Sequence, residues 1–320
     1  MRSVLVIAPS RLDLDIEAHL GLLMRSSALR VRRFRIGDDS SLMLGRVAAA
    51  TASARRATTL LTVGQTAIQA SALFRGRHFH LLGPGASKTE LKLARLLSPS
   101  SVVAANQVVH QQIRDSFVIF PPRATGSISP RQTRKLLGVR DDEKLVFVPT
   151  MPSRTSGHRM ALWVVGILRF LDERWRVVTL SRDAGVLYDF AAHTGQPRLL
   201  VSHSSLDALS IAGASDLALL APCGRFDLQP VASCAARGLP IVAPDRPMLR
   251  AIASQAGIRL VDDPKPRRLA LALLDAPEPI PPEQAWLDRF TEAFAERAWL
   301  DLIAQRRPCP PLMPALSETA

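Results

Sequence analysis

The sequence predicts an α/β fold arranged as two parallel-sheet domains, and three observations predict it. Short apolar runs of strand length alternate with segments of helical periodicity along most of the chain, as right-handed crossovers in a parallel sheet require. Most of the apolar runs stop at Gly or Pro, where a parallel strand would hand its carboxyl end to a loop. The stretch 123–130, with Gly126, Ser127 and Pro130, has linker composition and puts a boundary near Ile128. The expected division is 1–127 and 128–282 for the two domains, 283–306 for a terminal helix, and 307–320 for a disordered tail.

Composition narrows the function classes. A chain of 320 residues with 47% apolar content can bury two cores. Lys and Arg number 41 against 28 Asp and Glu, a net charge of +13 that favours an acidic partner. Nucleotide phosphates, nucleic acid and an anionic membrane surface all meet that description. The arginines are spread along the chain and aromatic residues make up only 5%, so the interleaved basic and aromatic pattern of a single-strand binder is missing and no specific nucleic acid is expected. The three cysteines, Cys223, Cys234 and Cys309, have neither metal-ligand nor disulfide-framework spacing, which fits a reducing compartment. No apolar run reaches membrane-spanning length, and the opening run ends at Pro9, too short for a signal-peptide core. The expectation is a cytoplasmic protein, with peripheral contact with an anionic membrane left open.

Taken in order, 3–8 is a buried strand ending at Pro9-Ser10, and 13–24 is a helix through Leu14, Ala18, Leu20 and Leu23. A strand at 29–34, a helix at 41–54 and a strand at 59–63 follow, the last stopping at Gly64. A helix spans 66–74, and the strand 79–82 carries His80 into the turn Gly83-Pro84-Gly85. Strand-end loops of open parallel sheets are where ligands bind, so Gly64-Gln65-Thr66 and the Gly83 turn are candidates beside the reading as ordinary turns. No dinucleotide-binding glycine fingerprint occurs, which argues against a nicotinamide dehydrogenase. The rest of the first half reads as helix 88–97, strand 102–104, helix 107–114 and strand 117–120.

The second half opens with a helix at 130–137 and a strand at 144–149, then a polar loop containing Arg154 and His158 before the helix 160–171. An arginine near a helix amino terminus suits phosphate, through free amides and the helix dipole, and also suits plain solvation. Strand 176–180, helix 186–194, strand 199–201 and helix 206–212 come next, with Ser205 expected as the cap of the last. From 214 to 261 the order is strand, loop, helix, strand, helix, strand: 216–221, Pro222-Cys223-Gly224, 229–236 stopped by Gly238 and Pro240, 241–243, 248–256 and 259–261. A helix at 266–274, a Pro-rich linker at 276–282 and a long helix over 283–306 complete the chain, the last with Trp286, Phe290, Phe294 and Leu300 on or near one face.

The segment Arg225-Phe226-Asp227-Leu228-Gln229-Pro230, followed by Ala235, Gly238, Pro240 and Val242, resembles the donor-binding domain of the retaining GT-B glycosyltransferases, the group 1 or glycogen-synthase-like enzymes. The order of elements is similar over nearly the whole chain, and the motif likeness is confined to 214–264. Both motif glutamates of that family are replaced: register counted from Gly238 puts Arg225 and Ser233 in their places, and Ser156 stands where the family has a lysine. The resemblance implies two Rossmann-like domains facing an interdomain cleft, and a nucleotide sugar as donor with no further cofactor; no metal site is assigned, since no acidic metal cluster is visible in the sequence. The donor-side candidates are Arg154, His158, Gly224, Arg225, Asp227 and Ser233; the family's paired glycines after the first strand are absent, so its acceptor contacts do not carry over, and Ser10, His80 and Gly83 are acceptor-side candidates by their place at strand ends. The resemblance assigns no catalytic residue, since the leaving phosphate can itself take the acceptor proton. Arg225 has no acceptor atom for a hydroxyl and Ser233 is a weaker acceptor than a carboxylate, while Asp227 can supply the lost acid. The readings left open are a sugar transferase with unknown acceptor, a catalytically inactive binding or scaffold protein of the same fold and, on the net charge alone, a basic nucleic-acid-binding protein.

Overall fold

The structure is a computed structural model. It describes residues 2–9, 12–36, 58–71, 74, 77–96, 102–110, 113, 116–123, 128–152, 156–180, 185–222, 224, 226–275 and 278–304. The helix expected at 41–54 and the tail at 307–320 lie outside the described residues, as do Ser10, Arg154 and Arg225.

The chain forms two units. The first comprises Met1–Leu12, His19–Phe120 and Ala293–Ala320, and the second comprises Asp13–Ala18 and Pro121–Glu292. In chain order the elements are β1 (Arg2–Pro9), α1 (Leu14–Arg25), β2 (Leu29–Ile36), β3 (Thr58–Val63), α2 (Gln65–Ala70), β4 (His78–Leu82), α3 (Lys88–Leu96), β5 (Val102–Ala104), α4 (Gln107–His110) and β6 (Phe117–Val118). They continue with α5 (Pro130–Leu137), β7 (Lys144–Phe147), α6 (His158–Leu171), β8 (Trp175–Val178), α7 (Gly185–His193), β9 (Leu200–Val201) and α8 (Ala208–Ala214). The chain then runs through β10 (Leu217–Leu219), α9 (Gln229–Ala236), β11 (Ile241–Pro244), α10 (Pro247–Ala256), β12 (Ile258–Val261), α11 (Pro266–Leu274), α12 (Gln284–Asp288) and α13 (Glu292–Ile303).

Each unit holds one six-stranded sheet, and every strand pairing among the described residues is parallel. The first sheet has the order β2-β1-β3-β4-β5-β6 and the second β12-β11-β10-β7-β8-β9. The second order is that of a doubly wound Rossmann sheet: the chain starts at the centre, winds outward to β9, then returns to β10 and winds the other way. The central strands are apolar on both faces, as a sheet covered on both sides requires, with Leu145, Val146 and Phe147 fully buried.

Local chemistry sets the ends of the helices. In α5, Pro130 occupies the first turn, the Ser129 hydroxyl accepts the Gln132 amide at 3.3 Å, and Gly138 closes the helix at φ +66°. The cap expected of Ser205 belongs to Asp207, whose carboxylate accepts the Ser210 amide at 2.7 Å. Ser205 turns instead to the His203 ring, 2.9 Å away. Asp207 is a charged acceptor on helix α8's own threshold, and it moves the start two residues past the expected one.

The long helix expected over 283–306 is two helices. The Phe290 carbonyl accepts the Arg123 amide at 2.8 Å and the Thr291 hydroxyl donates to the Asp288 carbonyl at 2.8 Å, so the chain turns between α12 and α13. Trp286 and Phe290 pack against each other in the second unit, with ring centroids 4.6 Å apart and planes tilted by 57°. In the first unit Trp299 of α13 donates its indole N–H to His19 Nδ1 at 3.2 Å, while His19 Nε2 donates to the Ala105 carbonyl at 3.1 Å. That arrangement needs a neutral ring, and burial accordingly lowers the His19 pKa to about 4.

Candidate functional site

Chain reversal in the second sheet falls between β7 and β10, which are hydrogen-bonded neighbours whose following segments wind in opposite directions. A crevice at the carboxyl ends of such a pair is where open α/β sheets take ligands. On the β7 side the loop folds back through the Thr150 hydroxyl, which donates to the Ser156 carbonyl at 3.2 Å. Gly157 then starts α6 at φ +82°, and a β-carbon built on it would lie 2.0 Å from the Ala221 carbonyl oxygen of the loop after β10. The two loops thus touch backbone to backbone, which only glycine permits at 157. The loop after β10 is held a second time by Arg246, whose Nη1 donates to the Pro222 carbonyl at 2.9 Å.

His158, expected among the donor contacts, has both ring nitrogens engaged inside this unit. Its Nδ1 lies 2.7 Å from the Ser156 hydroxyl and its Nε2 lies 2.6 Å from the Thr179 hydroxyl. Burial lowers its pKa to about 3, so the ring is neutral and locks the start of α6 to the end of β8.

The amino end of α9 is occupied by a carboxylate of the chain itself. Asp15, in the segment Asp13–Ala18 of the second unit, accepts the Leu228 amide on Oδ2 and the Gln229 amide on Oδ1, each at 2.9 Å. In return Asp227 Oδ1 accepts the Asp15 amide at 3.1 Å. Two helix starts therefore cap each other, each with the other's carboxylate. Burial, and the nearby Asp15 and Asp13, push the Asp227 carboxyl well above the usual carboxylate range. Ser233, one turn into α9, is fully buried and donates its hydroxyl proton to the Gln229 carbonyl at 3.0 Å. Gly224 is half-buried in the same loop.

In the first sheet the reversal lies between β1 and β3. A cavity of about 160 Å³ opens there, lined by Pro9, Ile36, Val63, Gly64, Gln65 and Thr66 among others. Gly64, one of its lining residues, is held by a polar chain. Glu90 Oε1 accepts both the Gly64 amide and His80 Nε2 at 3.1 Å, His80 Nδ1 faces the Thr62 hydroxyl at 3.0 Å, and that hydroxyl meets His78 Nε2 at 2.8 Å. His80 and Thr62 are fully buried, so His80 acts from beneath the Gly64 loop. Gly83 is buried too, and its carbonyl closes the following turn on the Ala86 amide at 3.2 Å.

Of the named candidates, His158, Gly224, Asp227 and Ser233 fall around the second sheet's reversal and His80 and Gly83 at strand ends of the first. Asp15, Glu90, Thr62 and Thr179 were not among them. Asp15 had one sequence signal, an acid at the start of a helical run, although nothing in the sequence joins it to Leu228. Among the described residues no group of three His, Cys, Asp or Glu side chains could hold a metal ion.

Two such sheets, one in each unit, define the GT-B fold, and comparison with solved structures shows the same fold. A glycosyltransferase from Rickettsia africae superposes with a TM-score of 0.65 at 11% identity, covering 95% of this chain and 98% of that one. Sucrose-phosphate synthase from Thermosynechococcus elongatus gives 0.62 at 12% identity, covering 95% and 97%. The N-terminal domain of trehalose-6-phosphate phosphatase from Candida albicans gives 0.58 at 8% identity, covering 96% and 97%. No protein-family model matches the sequence, and no curated protein matches it significantly.

Proposed function

We propose that the protein is a glycosyltransferase of GT-B fold that takes a nucleotide sugar as donor at the reversal point of its second sheet. The observation that supports this reading is the backbone contact of Gly157 with Ala221, which joins the two loops that follow β7 and β10 and sets the amino end of α6 beside them. Free amides at that end suit a diphosphate, and Arg154 and Arg225 belong to the two loops involved. Retention of anomeric configuration follows from the family resemblance and is part of the proposal.

A second reading, a binding or scaffold protein without turnover, has its own support. The amino end of α9 already holds the Asp15 carboxylate, and Ser233 is turned inward to its own helix. A donor gripped in the manner of the family would have to do without those groups or displace Asp15.

A thermal-shift screen against UDP, GDP, ADP and their sugar conjugates tests both, in moderate salt so that attraction by the net charge of +13 is screened. Stabilisation by one nucleotide, lost in Arg225→Ala, together with release of that nucleotide from its sugar conjugate, is expected for the transferase. Selective binding with no turnover favours the scaffold. A folded protein that responds to no nucleotide sinks the transferase reading.

A further inference from the structure

Helices α6 and α11 lie against each other over one face of the second sheet and send Leu162, Val165, Leu168, Leu269 and Leu273 into a common core. Their opposite sides are not the polar faces expected of surface helices. On α6, Arg159, Trp163 and Phe170 recur at helical spacing on the outward side, where Trp163 is 57% exposed and Phe170 83%. On α11, Arg267, Leu271 and Leu274 do the same, and Arg268 and Leu171 flank the pair. Because both helices bury their inner sides in the same core, the two outward stripes share one surface.

The charge on the two helices themselves has one sign. Neither helix carries an Asp or a Glu, while Arg159, Arg267 and Arg268 are exposed. The acids that follow the carboxyl ends are Asp172, Glu173 and Asp275, of which Asp172 is held by Arg174 at 2.8 Å. Arg159 also lies 5.7 Å from the ring centre of Phe190 on α7.

We infer that this face docks on an anionic lipid bilayer, with Trp163, Phe170, Leu171, Leu271 and Leu274 entering the headgroup boundary and the arginines meeting lipid phosphates. Charge complementarity selects that occupant. A second copy of the chain related by a twofold axis would bring arginine-bearing, acid-free stripes together, and the repulsion opposes such a pairing. A bilayer supplies both an apolar phase and negative charge. Among the described residues no helix is long and apolar enough to cross a membrane, so the contact is one of lying on the surface. This inference stands independently of what binds at the sheet reversal.

The protein carries its own reporter. Of its four tryptophans, Trp175, Trp286 and Trp299 are buried and Trp163 is exposed. The full chain is sedimented with vesicles of phosphatidylcholine alone and of phosphatidylcholine with phosphatidylglycerol, and its emission is followed with and without brominated lipid. The expected result is partition onto the anionic vesicles, a blue shift, and quenching by brominated lipid. Phe170→Ser with Leu274→Ser, and separately Arg267→Glu with Arg268→Glu, each lower the partition coefficient by at least about tenfold while melting cooperatively as the parent does. Absence of partition, equal partition of parent and variants, or a concentration-dependent dimer abolished by Phe170→Ser would overturn the inference, the last by assigning the face to a second copy.

Discussion

Gly157 and Ala221 are in contact through their backbones, and the contact leaves no room for a side chain at 157. A β-carbon there would stand 2.0 Å from the Ala221 oxygen and 2.4 Å from its carbonyl carbon, at a φ of +82°. Gly157→Ala therefore meets two penalties, the left-handed backbone and the overlap, and is expected to destabilise by about 3 kcal/mol or more. Gly138 is the control: φ is +66° and nothing lies within 4 Å of an added β-carbon, so Gly138→Ala meets only the conformational cost of about 1 kcal/mol. Urea melts of the two variants separate the terms. Equal losses would mean that the loops after β7 and β10 do not touch.

The mutual capping of Asp15 and Asp227 gives a prediction of opposite sign. A buried carboxyl whose folded pKa lies above its unfolded value of 3.8 is a cost when ionised, absent below that value and complete above the raised one. Asn at 227 keeps an oxygen for the Asp15 amide and removes the charge. Asp227→Asn is expected to raise Tm at pH 7, with the gain shrinking to nothing as pH falls towards 4. A variant less stable than the parent at pH 7 would show that the ionised pair is favourable.

Two buried histidines, His19 and His158, and the half-buried His78 act the other way on acidification. His158 is lowered to about 3 and His19 and His78 to about 4, in each case first through burial. The unfolded chain then binds protons that the folded one refuses between those values and 6.5, so stability falls as pH drops through that window. Each ring contributes a loss of about 2 kcal/mol between pH 7 and pH 5. In His158→Gln the loss over that interval should be smaller by about one such share, whatever the variant costs at pH 7. Urea titrations at the two pH values give the comparison. An unchanged pH dependence would place His158 in contact with solvent.

The alternation of strands and helices was legible in the sequence because each buried strand is a short apolar run and each crossover helix keeps one apolar side. The identity of the Asp207 cap was less so, since Ser205 and Asp207 are both capping residues and the choice depends on where the helix meets Ser210. The break at 289–291 follows from a hydrogen bond to Arg123, far away in sequence. The site was less legible than the fold for the same reason. Asp15 is 213 positions from Leu228, and His158 looked available for a ligand because nothing near it in sequence suggests Thr179 as partner. Periodicity reports which side of an element is buried, whereas the partner of a buried polar group is a property of the sheet order. The outward apolar residues of α6 and α11 were likewise not singled out, since 160–171 and 266–274 read simply as helices.

Glu90 offers the sharpest test of the first unit. Its Oε1 accepts from both the Gly64 amide and His80 Nε2, which fixes the proton of His80 on Nε2 and leaves Nδ1 to accept from Thr62. The Thr62 hydroxyl, which also donates towards the Phe79 carbonyl at 3.4 Å, lies within hydrogen-bond distance of both His80 Nδ1 and His78 Nε2, so the Glu90 carboxylate anchors one end of a continuous chain of polar groups. Glu90→Ala leaves the Gly64 amide and the His80 ring without their acceptor, and each such orphan costs about 1–3 kcal/mol. Glu90→Gln keeps an amide oxygen with two lone pairs in the same place and should recover most of that loss. Hydrogen exchange locates the effect: the Gly64 amide is expected to exchange faster in the Ala variant and near the parent rate in the Gln variant. If Ala and Gln destabilise alike, the negative charge of Glu90 holds the Gly64 loop, and the oxygen's acceptor geometry does not.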